Sequence, residues 1–253
     1  MKFGEKSWKA FQKKQAAVVD KAQEEMLAYI EAAGGYTELE FDAAIAKAYQ
    51  LATKYGEANA SLAALMYDAT AELSGASVPA AEVAATATVE EVSEAIWGAS
   101  SFSQNNEYIS GVVGRLVKQA GADTTLQNTR RDGAEFCWIN TGETCALCEL
   151  LASEGWQHAS KKTINGDHAE QIHANCKCIF MVRFNEDTTV AGYNADKNLY
   201  NDTEGDTLEE KVNTLRRQNY AENKEEINTQ KRIAYAKRTE ELNSSEAEEK
   251  NIN

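Results

Sequence analysis

One proline, Pro79, serves a chain of 253 residues. With so few residues that fix φ and remove a backbone donor, long helices with few rigid turns are expected. No run of about 18 apolar residues occurs, so no membrane span is expected. The N-terminus, Met1-Lys-Phe-Gly-Glu-Lys-Ser-Trp8, lacks the apolar core of a signal peptide, so export by that route is not expected either. No glycine-rich phosphate loop of the Walker or dinucleotide type is present. Cysteine and histidine are scarce, five and three in number, and all eight lie between Phe136 and Phe184. That clustering is unlike a disulfide framework, and in a reducing cytosol it favours metal over disulfides. Positive charge is short as well: 26 Lys and Arg against 40 Asp and Glu leave a net charge of −14. Phosphate contacts need positive charge, so general coating of nucleic acid is disfavoured.

What is present reads as a helical body followed by something different. The chain is 43% hydrophobic and 26% charged, enough to bury a core in one large domain or two modest ones. Trp8, Phe11, Val18, Val19, Ala22, Met26, Tyr29 and Ile30 recur at helical steps, so a helix is expected over 8–33, stopped by Gly34-Gly35. Thr37-Glu-Leu-Glu40 has the form of a capping box that would open an alanine-rich helical region over 38–73, where Tyr55-Gly56 could bend or break the helix. Gly75 to Ala87, with Pro79 inside, reads as a linker or loop. Thr88-Val-Glu-Glu91 is a second capping box, for a short helix through Trp97. A further helix is expected over about 104–120, with Gly121 as its stop. Residues 22–110 hold 14 acidic and 2 basic side chains, a net of −12, which makes this an acidic body with solvated faces.

After residue 130 the pattern alternates. Residues 134–139 and 178–184 read as strands, and Cys145 to Leu151 as a short helix begun at a C-x2-C turn. A small antiparallel sheet pinned by metal at one end is the expected structure. From Arg216 the sequence nearly repeats after 15 residues: Arg217, Tyr220, Ala221, Glu225, Glu226, Ile227 and Asn228 return as Arg232, Tyr235, Ala236, Glu240, Glu241, Leu242 and Asn243. No glycine or proline interrupts it, so a docking helix is expected there. Residues 211–238 carry eight basic and three acidic side chains, a face that could meet DNA or an acidic protein surface, or serve only as a solvated helix. Residues 244–253 read as frayed.

The candidate chemistry is metal binding. Cys145-Ala-Leu-Cys148 and His173-Ala-Asn-Cys176-Lys-Cys178 offer soft donors in two clusters, the pattern of a tetrahedral structural zinc site. Five donors for four positions leave the assignment open. Cys145, Cys148 and His173 lead, and Cys176 and Cys178 could both face the ion if their segment is extended. Cys137, inside a strand beside Trp138, reads as a small buried residue. Asp167-His168 with His173 and Asn175 invites comparison with the His-Asn-His nucleases. The interval from His168 to Asn175 is too short for the strand-turn-helix of such a site, and His173 is committed to the cysteine cluster. No enzyme activity is expected.

These residues also carry a resemblance. Gly133-Ala-Glu-Phe-Cys137, Thr141-Gly-Glu-Thr-Cys-Ala-Leu-Cys-Glu-Leu-Leu-Ala-Ser-Glu-Gly155, Ile172-His-Ala-Asn-Cys-Lys-Cys178 and Val190-Ala-Gly-Tyr193 resemble the minor head proteins of tailed bacteriophages, the Mu F-like head morphogenesis group. The likeness covers about 130–195. It implies a virion component assembled in the host cytoplasm. It also implies few copies, more than one per particle, placed at or near the portal and touching the portal or major capsid protein. The group's C-x2-C and H-x2-C-x-C positions fall on Cys145, Cys148, His173, Cys176 and Cys178. Asn175 and Lys177 stand where relatives often have proline, arginine or aspartate, which bears on the loop's shape and leaves the ligands intact. The expected architecture is mainly α with a small α+β zinc-stabilised module and a long helical C-terminal tail. It divides into a helical domain over 1–125, the Cys/His module over 126–200 and a charged tail over 201–253. A DNA-binding or DNA-processing protein using the basic C-terminal helix is the alternative.

Overall fold

The computed structural model describes residues 5–140, 145–160, 178–186, 197–225, 228–229 and 231–233. Helix α1 spans Glu5–Ala32 and turns Trp8, Val19, Ala22, Met26 and Ile30 inward, in keeping with the three- and four-residue spacing of its apolar positions. Gly34 and Gly35 end it at φ of 91° and 117°, a region side chains avoid. The expected capping box at Thr37 does not form. Residues Tyr36–Glu38 make a single 3-10 turn instead, and Glu40 precedes α2, Phe41–Ser74, without a side-chain cap. Tyr36 is buried, Leu39 packs against the core, and the Tyr36 amide donates to Asn106 Oδ1 at 3.0 Å. Burial of those two side chains selects the tighter turn over a longer helix.

Helix α2 runs unbroken through Tyr55-Gly56. Its inward stripe is largely alanine (Ala44, Ala48, Ala52, Ala60, Ala63, Ala64, Ala71), while Leu65 stays 66% exposed. Small side chains let the next long helix lie close. Helix α3, Val89–Phe102, starts at the expected capping box: Thr88 Oγ1 accepts from the Glu91 amide and the Glu91 carboxylate accepts from the Thr88 amide.

Helix α4 covers Asn106–Asp132, twelve residues beyond the expected end. Gly121 is not a stop. A Cβ placed there would lie 2.5 Å from Asn59 Oδ1 on α2, so glycine serves close approach, and the left-handed cap is Gly133 at φ 66°. Helices α1, α2 and α4 pack on one another around a core of Met26, Ile30, Leu51, Ile96, Ile109, Val113 and Val117.

The stretch from Gly75 to Ala87, expected as a linker or loop, has no helix or strand over 76–87, and it is pinned across 79–84. Ala81, Glu82 and Ala84 donate their amides to Asp68 Oδ1 (2.7 Å), Asn128 Oδ1 (2.9 Å) and Thr124 Oγ1 (3.0 Å). Asn128 Nδ2 returns a bond to Glu82 O at 2.7 Å, and Arg131 reaches Pro79 O and Ala80 O. Buried Thr124 and Asn128 thereby pair with main-chain groups of a part-buried segment that has no ladder of its own.

The sheet has three antiparallel strands in the order β2-β1-β3: β1 Glu135–Ile139, β2 Gln157–His158 and β3 Ile179–Arg183. Cys137 stands opposite Met181 and Ile139 opposite Ile179. Phe180 meets Trp138 edge-on at 4.5 Å and tilts against Phe136 at 5.7 Å. Helix α5, Ala146–Ser153, lies between β1 and β2 in the chain and packs on β1.

The boundary expected at 125 falls inside α4, and Met1–Asn201 forms one compact unit. Its C-terminal end carries the start of α6, Lys197–Asp202. The second unit is Asp202–Asn253. There α7, Leu208–Glu222, opens on a capping box of Thr207 and Glu210 that the sequence reading passed over. Of the repeat that begins at Arg216, residues 226–227, 230 and 234–243 lie outside the described residues, as do Gly192 and Tyr193 of the resemblance and the segment 244–253. No helix among the described residues is long and apolar enough to cross a membrane. Among the described residues the fold is mainly helical with one small antiparallel sheet.

Candidate functional site

Two places in the first unit concentrate chemistry. One is the cysteine pair at the start of α5. Cys145 is the N-cap and Cys148 sits in the first turn, so both thiols stand where helix amides favour negative charge. Their Sγ atoms are 3.6 Å apart, far beyond a disulfide's roughly 2.05 Å. Two thiolates on one tetrahedral zinc at roughly 2.3 Å each would be about 3.8 Å apart, so the pair fits that use.

Cys178 is buried and comes immediately before β3, where its thiol lies 3.1 Å from Asn140 Oδ1. Ile179 pairs with Ile139, so Cys178 and Asn140 share the end of the β1–β3 ladder. His173 and Cys176 lie outside the described residues, as does His168. Among the described residues no three His, Cys, Asp or Glu side chains form a metal-binding group. Of the five expected donors, the structure therefore brings Cys145 and Cys148 together and places Cys178 at the head of β3. Cys137 is 1% exposed in β1 among Trp8, Ile139 and Met181, the buried position expected of it. Burial pushes its thiol pKa well up, with Arg183 opposing, which makes it a poor nucleophile. His158 is exposed on β2, opposite Glu135.

The second place was not foreseen. A cleft of about 340 Å³ lies between α1, α2, α4 and β3. Phe11, Val19, Ala63 and Met66 give it apolar walls, Gln15, Asn59 and Thr125 a polar floor, and Arg115 and Lys118 a cationic side. Gln15 Nε2 donates to Asn59 Oδ1 at 2.9 Å, both buried. Arg115 is partly buried, and among the described residues no group accepts a hydrogen bond from it or pairs with its charge. Burial, the largest influence, lowers its pKa, and Tyr108 opposes. The sequence did hold a signal: Arg115 and Lys118 are three apart on one helical face, between Gly114 and Gly121. Charge alone could not tell a cleft from a solvated surface.

A family model described as VG15 protein matches residues 2–203, the helical body as well as the cysteine segment. No curated protein and no solved structure matches the chain.

Proposed function

Since the chain belongs to the VG15 protein family, we propose that it is a viral gene product and a structural component of a bacteriophage virion. In this reading it is a minor capsid or head morphogenesis protein, acting at or inside the head near the portal, without catalysis of its own. The family match over 2–203 carries the proposal. The outer surface of the helical body supports it. Trp97 and Phe102 on α3 are 65% and 79% exposed, with Val89 on the same helix half exposed. Large aromatics left in water are the anchors that protein–protein contacts use. Portal and major capsid protein are the partners the resemblance implies.

A structural zinc belongs to the same reading. Cys145 and Cys148 would hold it with His173 and with Cys176, Cys178 or both. Bound there, the ion would tie the N-terminus of α5 to the head of β3 and contribute folding energy.

Quantitative mass spectrometry of purified particles, with antibody labelling in the electron microscope, tests the proposal. The expected result is a few copies per particle, labelled at the vertex that carries the tail. Particles that lack the protein sink it. The basic face of the second unit keeps a second reading open, since Arg216 and Arg217 lie exposed on α7 beside Tyr220. It requires DNA affinity that falls steeply with salt; salt-insensitive or absent binding by the full chain removes it.

A further inference from the structure

The cleft at Arg115 has one wall unlike the rest. Cys178, Ile179, Phe180, Met181 and Val182 line it consecutively. Four of these, Ile179 to Val182, are consecutive in β3; side chains on a strand alternate in direction, so a run that lines one cavity without a gap presents the strand's main-chain edge to it. In the order β2-β1-β3 that edge is the outer one, and among the described residues no strand pairs with it. An edge with open donors and acceptors is a template for another strand. Proteins commonly cover or blunt such edges; this one borders a cavity.

Length and charge narrow the occupant. On α1 the lining residues run from Phe11 to Gln23, about 18 Å of helix at roughly 1.5 Å per residue. About five residues of extended chain span the same distance. Exposed Ala16 and Asp20 mark the mouth, so a chain can enter from solvent, and Asp20 stays in water at the rim. Arg115 lines the cleft beside Lys118 on the same face of α4, and no described group is hydrogen-bonded to its guanidinium. A desolvated cation without a partner is costly, and a carboxylate is the group whose geometry its fork matches. The apolar walls suit β-branched or aliphatic neighbours of that acid.

We propose that the cleft is a docking site for an extended segment of a partner polypeptide, which adds to β3 as a fourth strand and sets a carboxylate on Arg115. Main-chain pairing supplies affinity, while the acid fixes the register, as in other cases of strand addition. This does not depend on where in a virus particle the protein sits.

Selection of a displayed library of short random peptides against the full chain tests it. The expected binders carry Asp, Glu or a free C-terminal carboxylate at a fixed place in a β-branched run. Their binding raises hydrogen-exchange protection at Ile179–Val182. Methylating alternate amides of the best peptide abolishes binding to the native protein, a result that needs no variant. Arg115→Met binds that peptide roughly thirtyfold more weakly, with its thermal midpoint unchanged or raised, and Arg115→Lys falls between. A selection that yields no binder overturns the proposal. So do peptides held equally by Arg115→Met, protection away from β3, or binding indifferent to amide methylation. Glutarate competing as tightly as the peptide reduces the site to a small-anion pocket and overturns it too.

Discussion

Gly121 on α4 and Asn59 on α2 face each other so closely that a methyl group on Gly121 would lie 2.5 Å from Asn59 Oδ1 and 3.4 Å from the Asn59 carbonyl oxygen. Asn59 has little room to give, being 2% exposed and bonded to Gln15. Gly121→Ala gains about 0.5–1 kcal/mol of helix propensity. Overpacking costs about 1–3 kcal/mol, so the variant should be less stable by about 1–2 kcal/mol. Gly98, exposed on α3 with nothing within 4 Å of an added Cβ, supplies the opposite sign. Gly98→Ala should raise stability by about 0.5–1 kcal/mol. Thermal unfolding followed by circular dichroism measures both, and shifts of the same sign contradict the packing argument.

The strap over 76–88 hangs on Asn128. That side chain accepts from the Glu82 amide and donates to Glu82 O and Thr124 O at 2.7 and 2.6 Å. At about 1 kcal/mol for each neutral hydrogen bond, Asn128→Ala should cost about 2–3 kcal/mol. The loss should be local before it is global. Amides of residues 81–84 should exchange faster, and proteases should cut the strap while α2 and α4 stay folded. Unchanged exchange there would mean that the strap is held by something other than Asn128.

These elements mark where the sequence was readable. The apolar spacing of α1, the capping box at Thr88, the alternation around β1 and the apolar run of β3 are local patterns, and each produced the element it suggested. Gly121 misled because a glycine that ends a helix and one that admits a neighbour look alike in one dimension. Only Asn59, far back on α2, decides between them. Thr37 and Glu40 had the form of a cap, yet burial of Tyr36 and Leu39 chose another turn. The strap read as a linker or loop and is one, but that it is pinned was not legible, because its partners, Thr124 and Asn128, come some forty residues later. At the candidate site, the closeness of Cys145 and Cys148 was legible, since a C-x2-C turn at a helix start brings both thiols to one side. The Arg115 cleft was not, because burial of a lone arginine is a property of three helices and a strand together.

Stability should depend on pH through one buried-edge network. Tyr67 OH lies 2.7 Å from Asp132 Oδ2, and Arg131 pairs with the same carboxylate at 2.8 Å. Arg131 foremost, then Tyr67, holds the Asp132 carboxyl below its usual 3.8, against burial. A depressed carboxyl stabilises the fold above its unfolded value, and that contribution fades as pH falls through the lower folded one. Asp132→Asn should therefore flatten the acid limb below about pH 4. Tyr67 is shifted upward from 10.0, first by burial and then by Asp132. Its contribution is full below pH 10 and fades above it, so Tyr67→Phe should flatten the alkaline limb. Urea midpoints across pH measure both limbs. Slopes equal to the native protein's would remove the network from the account.

The cysteine pair allows a test that separates metal from packing. If Cys145 and Cys148 are ligands, the purified chain should hold about one zinc, and either Cys→Ser variant should release it. Release should loosen α5 and the β1–β3 end at Asn140 and Cys178, seen as faster amide exchange there. The core of Met26, Leu51 and Val113 is built from helices elsewhere, so it should stay protected. Cys137→Ala is the control. Its thiol packs on Trp8 and Met181 in the sheet, so the variant should keep its zinc and lose about 1 kcal/mol to the cavity. Elemental analysis finding less than about 0.2 zinc per folded chain would sink the metal assignment, since a site that contributes folding energy must be filled. Zinc retained by both serine variants would sink it as surely, because no tetrahedral site of this kind survives the loss of a thiolate from its C-x2-C turn without a fall in affinity.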